Sequence, residues 1–250
     1  MDLQDKVTII TGGSGGLGMA AAKAFLAKGA KVAVFDLQEG DAKALAESYP
    51  GQVKYYETNV TSEENVATNI NHVVADFGAI DVCINCAGFG PSAKTYSSRN
   101  GPHPLDQFQS VINVNLVGTF NVLRLAVEKM STNEGEEKGV VINTASVAYM
   151  DGQKGQAAYS ASKAGIVGMT LPIARDLAEL GVRVNVIAPG LMGTLAMMAM
   201  PEDFRQGLER LVQYPKRLGQ PEEFALLATQ IVENPYLNGE TIRLDGAIRM

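Results

Sequence analysis

The sequence predicts an α/β fold: a doubly wound parallel sheet flanked by helices, in a single domain over residues 1–250. Three observations carry this. Short apolar runs alternate with helix-length segments along the chain, the order that builds a parallel sheet covered on both faces. The first run ends in a glycine cluster and a helical segment follows at once. The 250 residues, 46% of them hydrophobic, suit one domain of this kind, or two small ones at most. No linker, internal repeat or low-complexity tract divides them.

The elements follow in order. Lys6–Thr11 (KVTIIT) reads as the first strand, with a helix from about Leu17 to Lys28 closed by Gly29. Lys31–Asp36 is the second strand, followed by a helix to about Tyr49. Val53–Glu57 is the third, followed by a helix from about Ser62 to Phe77, and Val82–Asn85 is the fourth. A long helix covers about Leu105–Lys129, and polar, Glu-rich Ser131–Gly139 reads as a surface loop. Val140–Thr144 is the fifth strand, about Tyr159–Glu179 a helix, Val182–Ile187 the sixth strand and Thr241–Leu244 the last. Two segments break the rhythm: a Gly-, Pro- and Ser-rich loop at Gly88–Pro104, and a methionine-rich helical stretch at Leu191–Pro215. Long loops in compact domains are often functional, so both are expected to shape a substrate site.

Composition excludes several function classes. A net charge of −6 without a long basic run is a poor match for a nucleic-acid backbone. No run of eighteen or more apolar residues appears, so no membrane span is expected. Met1–Lys6 leads straight into the first strand with no signal peptide or Arg-rich presequence, so a cytoplasmic protein is expected, or a mitochondrial matrix protein if a presequence has been removed. Cys83 and Cys86 are spaced C-x-x-C, which reads as a redox pair, as half a zinc site, or as two small apolar residues ending a buried strand. His72 and His103 lack metal-site spacing, and no metal is expected.

The glycine cluster is Gly12-Gly13-Ser14-Gly15-Gly16-Leu17-Gly18. Such a turn lets backbone approach a pyrophosphate, which then sits on free N–H groups at the helix N terminus. A glycine cluster alone can be a mere turn; strand before and helix after make this one a Rossmann-like phosphate site. Asp36 ends the second strand, where a carboxylate accepts hydrogen bonds from adenosine ribose hydroxyls and repels a 2′-phosphate. Neither Ser14 and Gly15 before Gly16 nor Leu37 after Asp36 supplies a compensating positive charge, so NAD is expected rather than NADP. The plainer reading of Asp36 is a loop cap.

Tyr159 and Lys163 lie four residues apart in one helical segment, which puts both heads on one face. The lysine charge favours the phenolate, bringing a phenol of ordinary pKa about 10 nearer neutrality. Ser146, thirteen residues before Tyr159 and just past the run Val140–Ile142, can hold a substrate hydroxyl or carbonyl against that phenol. This is acid–base equipment for interconverting an alcohol and a ketone. Taken singly, a serine at a strand end is also a common cap, and a Tyr–Lys pair is also common surface packing.

With these residues in hand, the whole chain resembles the short-chain dehydrogenase/reductase family. Thr11-Gly12-x-x-x-Gly16-x-Gly18 is similar to its glycine turn, and Asn85-Cys86-Ala87-Gly88 to its turn after strand four. Ser146, Tyr159 and Lys163 match its catalytic residues, and Asn115 falls where the family has a fourth. The resemblance implies that Asn115 supports a water chain returning the proton to solvent. It implies that Pro189-Gly190 with Met192 and Thr194 grips the nicotinamide, that Asn59-Val60 lies by the adenine, and that Lys163 also binds the ribose. Asn143–Val147, Gln156–Tyr159, Gly168–Leu177 and Leu244–Met250 resemble more closely one branch of the family, the type 2 3-hydroxyacyl-CoA dehydrogenases, also called type 10 17β-hydroxysteroid dehydrogenases. That branch implies NAD, a homotetramer and oxidation of 3-hydroxyacyl-CoA thioesters, with some steroid alcohols accepted. The chain departs from the family at Asn59, where an aspartate is usual, at Cys86 and at Asp245-Gly246-Ala247. An amide at 59 is still expected to accept from the adenine amino group. The alternatives are a hydroxysteroid or other secondary-alcohol dehydrogenase and, from another class, a non-catalytic NAD-binding scaffold.

The substrate side is read from three groups. Leu191, Met192, Met197, Met198 and Met200 form a soft apolar wall, or ordinary helix or oligomer packing. Gln153 and Gln156 can hydrogen-bond a thioester carbonyl. Lys94 and Arg99 can meet CoA phosphates or stay as solvated loop charges.

Overall fold

Strands buried on both faces must be apolar along their whole length, and the Val- and Ile-rich runs form such strands. The computed structural model describes residues 1–249; Met250, the end of the C-terminal motif, and the Ala196 side chain lie outside that description. The strands are β1 (Val7–Thr11), β2 (Lys31–Asp36), β3 (Val53–Glu57), β4 (Val82–Asn85), a two-residue pair β5 (Tyr96–Ser97) and β6 (Gly101–Pro102), then β7 (Gly139–Thr144), β8 (Val182–Pro189) and β9 (Thr241–Leu244). All but the small pair join one parallel seven-stranded sheet in the order β3-β2-β1-β4-β7-β8-β9. The winding reverses between β1 and β4, so a crevice opens at the carboxyl ends of those strands.

The helices are α1 (Gly16–Leu26), α2 (Ala42–Ser48), α3 (Glu63–Phe77), α4 (Leu105–Ile112), α5 (Thr119–Met130), α6 (Ala148–Asp151), α7 (Ala157–Asp176), α8 (Leu195–Met198), α9 (Glu202–Glu209) and α10 (Pro221–Glu233). Alternate strand residues point to opposite faces. Ile10, Val34, Ile84 and Ile142 pack under α1 and α10, with Phe25 and Phe224 in that layer. Ile9, Phe35, Cys83, Val141 and Val184 face the other layer, with Ile70 of α3 and Leu123 of α5. Each such fully buried side chain contributes about 1.5–3 kcal/mol. Arg183 of β8, buried, closes α10 by donating to the carbonyls of Ile231 (2.9 Å) and Val232 (2.8 Å), and pairs with Glu137. A cation at the helix C terminus meets both the orphan carbonyls and the dipole.

Several expectations are revised. The long helix expected over Leu105–Lys129 is broken by a π-helical turn at Asn113–Gly118 between α4 and α5. By length and mean hydropathy the run Leu105–Met130 is apolar enough to cross a bilayer, although polar residues interrupt it throughout. Half of its most apolar window is buried, and the buried face is protein core: Val122, Leu123, Ala126, Val127 and Met130. The helical stretch expected over Leu191–Pro215 holds two short helices, α8 and α9. The β5–β6 pair, α6 and α10 were not expected from the sequence.

Candidate active site

The phosphate turn is fixed by contacts that admit no side chain at two positions. Gly12 has φ +63°, and a Cβ there would lie 2.9 Å from the Ala87 nitrogen. A Cβ on Gly18 would strike the Gly12 carbonyl carbon at 2.9 Å. The turn therefore folds back on the chain that leaves β4. Gly15 precedes α1 in extended conformation and no side chain caps the helix, so its first-turn N–H groups stay available to an anion. The Ser14 hydroxyl is buried and has no protein partner. An orphaned donor beside open helix amides fits a phosphate-bearing nucleotide.

Asp36 leaves β2 at the cleft, and its carboxylate accepts from the N–H groups of Ser14 (3.1 Å) and Leu37 (2.8 Å). Gly12, Gly15, Gly16, Leu17, Gly18, Asp36, Asn59, Val60, Cys86, Ala87 and Gly88 all line one cleft of about 810 Å³, large enough for a cofactor-sized ligand. One expectation fails here. The Asn59 side-chain oxygen accepts from both the N–H (3.0 Å) and the hydroxyl (2.8 Å) of Thr61. Both lone pairs are used in a local turn, so that oxygen does not wait for an adenine amino group; the amide nitrogen is what remains. Asn85 is a second correction. It is buried in the sheet opposite Asn143 and donates to its side-chain oxygen at 2.9 Å, beneath the cleft rather than on its wall.

Ser146, Tyr159 and Lys163 converge on an adjoining pocket of about 450 Å³ with Pro189, Gly190, Met192, Met197, Met200 and Gln156. The two spaces share Leu17, Cys86, Gly88, Phe89 and Thr194, so they form one continuous cleft. Thr194, at the start of α8, stands 3.7 Å from a Cβ built on Gly16 and so closes the cleft against the phosphate turn. Ser146 follows β7, and its hydroxyl accepts from the Ala148 N–H at 3.2 Å. Lys163 is buried, lies 5.7 Å from the centre of the Tyr159 ring and donates to the Thr144 carbonyl at 2.7 Å.

The electrostatics differ from the simple expectation. Burial raises the Tyr159 phenol above its ordinary value, and hydrogen bonding with Ser146 works the other way. Lys163 does not bring the phenol toward neutrality by itself, because the cost of burying a phenolate is the larger effect. Burial also pushes Lys163 down to about 8, opposed by the Cys86 thiol. Cys83 and Cys86 are free thiols, pushed by burial up to about 12 and about 11; they are thiols at neutral pH, not nucleophiles. Among the described residues no group of three His, Cys, Asp or Glu side chains could hold a metal ion.

Asn115 takes a part that the sequence did not suggest. Its side-chain oxygen accepts from the Phe89 N–H at 3.0 Å, and its amide donates to the Phe89 carbonyl (2.8 Å) and the Ser162 hydroxyl (3.0 Å). Ser162 in turn donates to the Tyr159 carbonyl at 2.7 Å. Asn115 thus ties the loop after β4 to α7: both of its amide hydrogens are used there, and its side-chain oxygen keeps one lone pair. It is a positioning residue; the π-helical turn that carries it is a common device at functional sites.

On the substrate side, Met198 is half-exposed and off the cleft wall, while Leu191, Met192, Met197 and Met200 line it. Gln156 also lines it, with its side-chain oxygen accepting from the Gln153 N–H at 2.8 Å, which leaves the amide N–H groups free to donate. Gln153 itself is exposed and serves Gln156 through its backbone. Lys94 and Arg99 are exposed and outside the cleft wall. The sequence reading missed Phe89, which lines both halves, and Gly90, where a Cβ would lie 2.5 Å from Tyr159 Cδ2. Position alone, directly after Gly88, was the available signal for both.

The chain is similar to known proteins over nearly its whole length. The profile of the family described as short chain dehydrogenase matches residues 6–204. The chain is 51% identical over 248 residues to 3-hydroxyacyl-CoA dehydrogenase type-2 of Rattus norvegicus, covering 98% of this chain and 95% of that one. It is 47% identical over 252 residues to the protein of the same name from Drosophila melanogaster, covering 99% of each. The crystal structure of 3-hydroxyacyl-CoA dehydrogenase type-2 from Mycobacterium avium superimposes with a TM-score of 0.93 at 38% identity, covering 98% of this chain and 96% of the other.

Proposed function

The chain belongs to the short-chain dehydrogenase family, an oxidoreductase working with a nicotinamide nucleotide, and on that footing we propose that it is an NAD-dependent 3-hydroxyacyl-CoA dehydrogenase. The observation that carries the reading is the meeting of Ser146, Tyr159 and Lys163 where the nucleotide cleft opens into an apolar pocket. When bound, the nicotinamide supplies hydride exchange with a carbinol carbon; everything else is binding, orientation and proton handling by the protein.

Tyr159 takes the hydroxyl proton in oxidation and returns it in reduction. Ser146 holds the substrate oxygen and steadies charge as it develops there. Lys163, anchored on the Thr144 carbonyl, offers its remaining donors to the nucleotide ribose and its charge to the phenolate. Asn115 holds the Phe89 loop at the correct distance from α7. The Asp36 carboxylate, with no basic neighbour in the turn, supports NAD over NADP. The thioester preference is supported by the activity for which the rat and fly relatives are named and by the free donors of Gln156, which suit a thioester carbonyl.

The methionine wall and Phe89 favour one second reading, a hydroxysteroid dehydrogenase, since polarisable side chains adapt to a rigid apolar ring system. The test is a spectrophotometric panel following NADH formation with 3-hydroxybutyryl-CoA, 2-methyl-3-hydroxybutyryl-CoA, a 17β-hydroxysteroid and simple secondary alcohols, with NADP as control. Fastest turnover on the thioesters supports the proposal. Fastest turnover on the steroid supports the second reading, and nucleotide binding without turnover on any alcohol makes the protein a scaffold.

We also propose a homotetramer in a reducing compartment, the cytoplasm or the mitochondrial matrix. Exposed Leu105, Val117, Phe120 and Leu171 on the α4–α5–α7 side give such an assembly apolar surface to cover, and two free thiols suit the compartment. Sedimentation and cell fractionation test these.

A further inference from the structure

The segment that carries Ser146 has little to hold its own shape. α6 is four residues long, a single turn that is not stable alone. Its internal backbone bonds are three: from the Tyr149 N–H to the Ser146 carbonyl (3.0 Å), and from the Met150 (3.1 Å) and Asp151 (2.9 Å) N–H groups to the shared Val147 carbonyl. Its far end is gripped from elsewhere. Arg243, on β9, is hydrogen-bonded through Nη2 to Asp151 Oδ2 at 2.5 Å and to the Ile248 carbonyl at 3.1 Å, and through Nε to Asp245 Oδ2 at 2.8 Å. Its guanidinium also lies 6.0 Å from the centre of the Tyr149 ring. The three charged side chains are only 17%, 16% and 9% exposed, so solvent screens them weakly.

The clamp also reaches the reacting groups from both sides. Ala188 is paired with Arg243 across β8 and β9, and the next carbonyl, that of Pro189, accepts from the Val147 N–H at 2.9 Å. A Cβ on Gly152, the residue after Asp151, would lie 3.1 Å from Ser160 Cβ. The end of the arm is thus pressed against α7 one residue from Tyr159.

We propose that Arg243 is a positioning residue for the reaction: by holding Asp151 it fixes the arm Ser146–Gly152 against the helix of Tyr159 and so sets the Ser146–Tyr159 geometry. The inference rests on the dehydrogenase reading. A lysine cannot replace the guanidinium, because one ammonium cannot span Asp151, Asp245 and the Ile248 carbonyl in a fixed fork.

The experiment compares wild type, Arg243→Lys, Asp151→Ala and Asp151→Glu for 3-hydroxybutyryl-CoA oxidation, NADH binding and amide hydrogen exchange. In Arg243→Lys and Asp151→Ala, kcat falls about 10- to 100-fold, the scale of a misplaced group, while NADH binding is unchanged. Exchange in 147–152 quickens. Loss of the Ser146 hydrogen bond raises the Tyr159 pKa, so the rise of kcat/KM with pH moves to higher pH. Asp151→Glu restores both kcat and the pH profile. If Arg243→Lys does not fold, Asp151→Ala decides alone. Folded variants with wild-type exchange in the arm, wild-type kcat and an unmoved pH profile overturn the inference. Absence of turnover in the wild type would defeat the dehydrogenase reading instead, and the exchange rates would still decide whether the clamp holds the arm.

Discussion

Lys163 Nζ donates to the carbonyl oxygen of Thr144 at 2.7 Å, at the foot of the cleft between β7 and α7. One donor therefore anchors the ammonium, and two remain for ligand or phenolate. The cost of this placement is visible in the lysine itself, pushed by burial from its ordinary 10.5 to about 8.

The first prediction follows from that shift. Between about pH 8 and pH 10 the unfolded chain binds a proton at Lys163 that the folded chain does not, so stability rises with pH across that window. Below about pH 8 the buried ammonium costs stability. Lys163→Met, which fills the same space without charge, should raise Tm at pH 7 by on the order of a few degrees and remove the pH slope. Turnover should fall by at least about 100-fold. Calorimetry at pH 7 and pH 9 beside an NADH assay checks both; a lower Tm with the slope intact would contradict the account of the lysine.

Asp36 controls the choice of nucleotide. Asp36→Ala removes the acceptor for the ribose hydroxyls and the charge that repels a 2′-phosphate. The ratio of kcat/KM for NAD over that for NADP should drop by about 10-fold or more, since each 1.4 kcal/mol of lost discrimination is tenfold. Initial rates with both nucleotides measure it, and an unchanged ratio would remove Asp36 from the recognition.

Gly90 keeps room for the reacting phenol. A Cβ there would fall 2.5 Å from Tyr159 Cδ2 and 2.9 Å from Cγ, so Gly90→Ala must move the ring or the loop. The expected result is a loss of kcat of about 10- to 100-fold with little change in NADH affinity, read by steady-state kinetics and fluorescence titration. Wild-type kcat would mean that the phenol does not depend on its seat.

The sequence made the sheet legible because its inner strands are buried along almost their whole length, and the half-exposed edge strands β3 and β9 still carry short runs of strand-forming residues: β2, β3, β4 and β9 lie where those runs lie, and β1 and β7 shift by one residue. The glycine turn and the Tyr159–Lys163 pair were readable for a similar reason, since local geometry dictates them. α10 had a signal that went unused: Pro221 in its first turn and a capping box between Gln220 and Glu223. The turn that occupies the Asn59 oxygen was also encoded locally, in Asn59-x-Thr61. What no local pattern could show was long-range. The contact of Gly90 with Tyr159, the two bonds from Asn115 to Phe89 and the inward turn of Asn85 toward Asn143 arise only when separated segments meet at the sheet's carboxyl edge. The rise of the Tyr159 pKa belongs here too, because burial is set by the whole fold.

The most direct test is Tyr159→Phe, which deletes one oxygen and leaves the ring packed. NADH fluorescence titration should give wild-type affinity, while oxidation of 3-hydroxybutyryl-CoA falls by about 100-fold or more, the scale of general acid–base catalysis. Turnover close to wild type in a variant that binds NADH normally would show that the Tyr159 hydroxyl does not carry the proton.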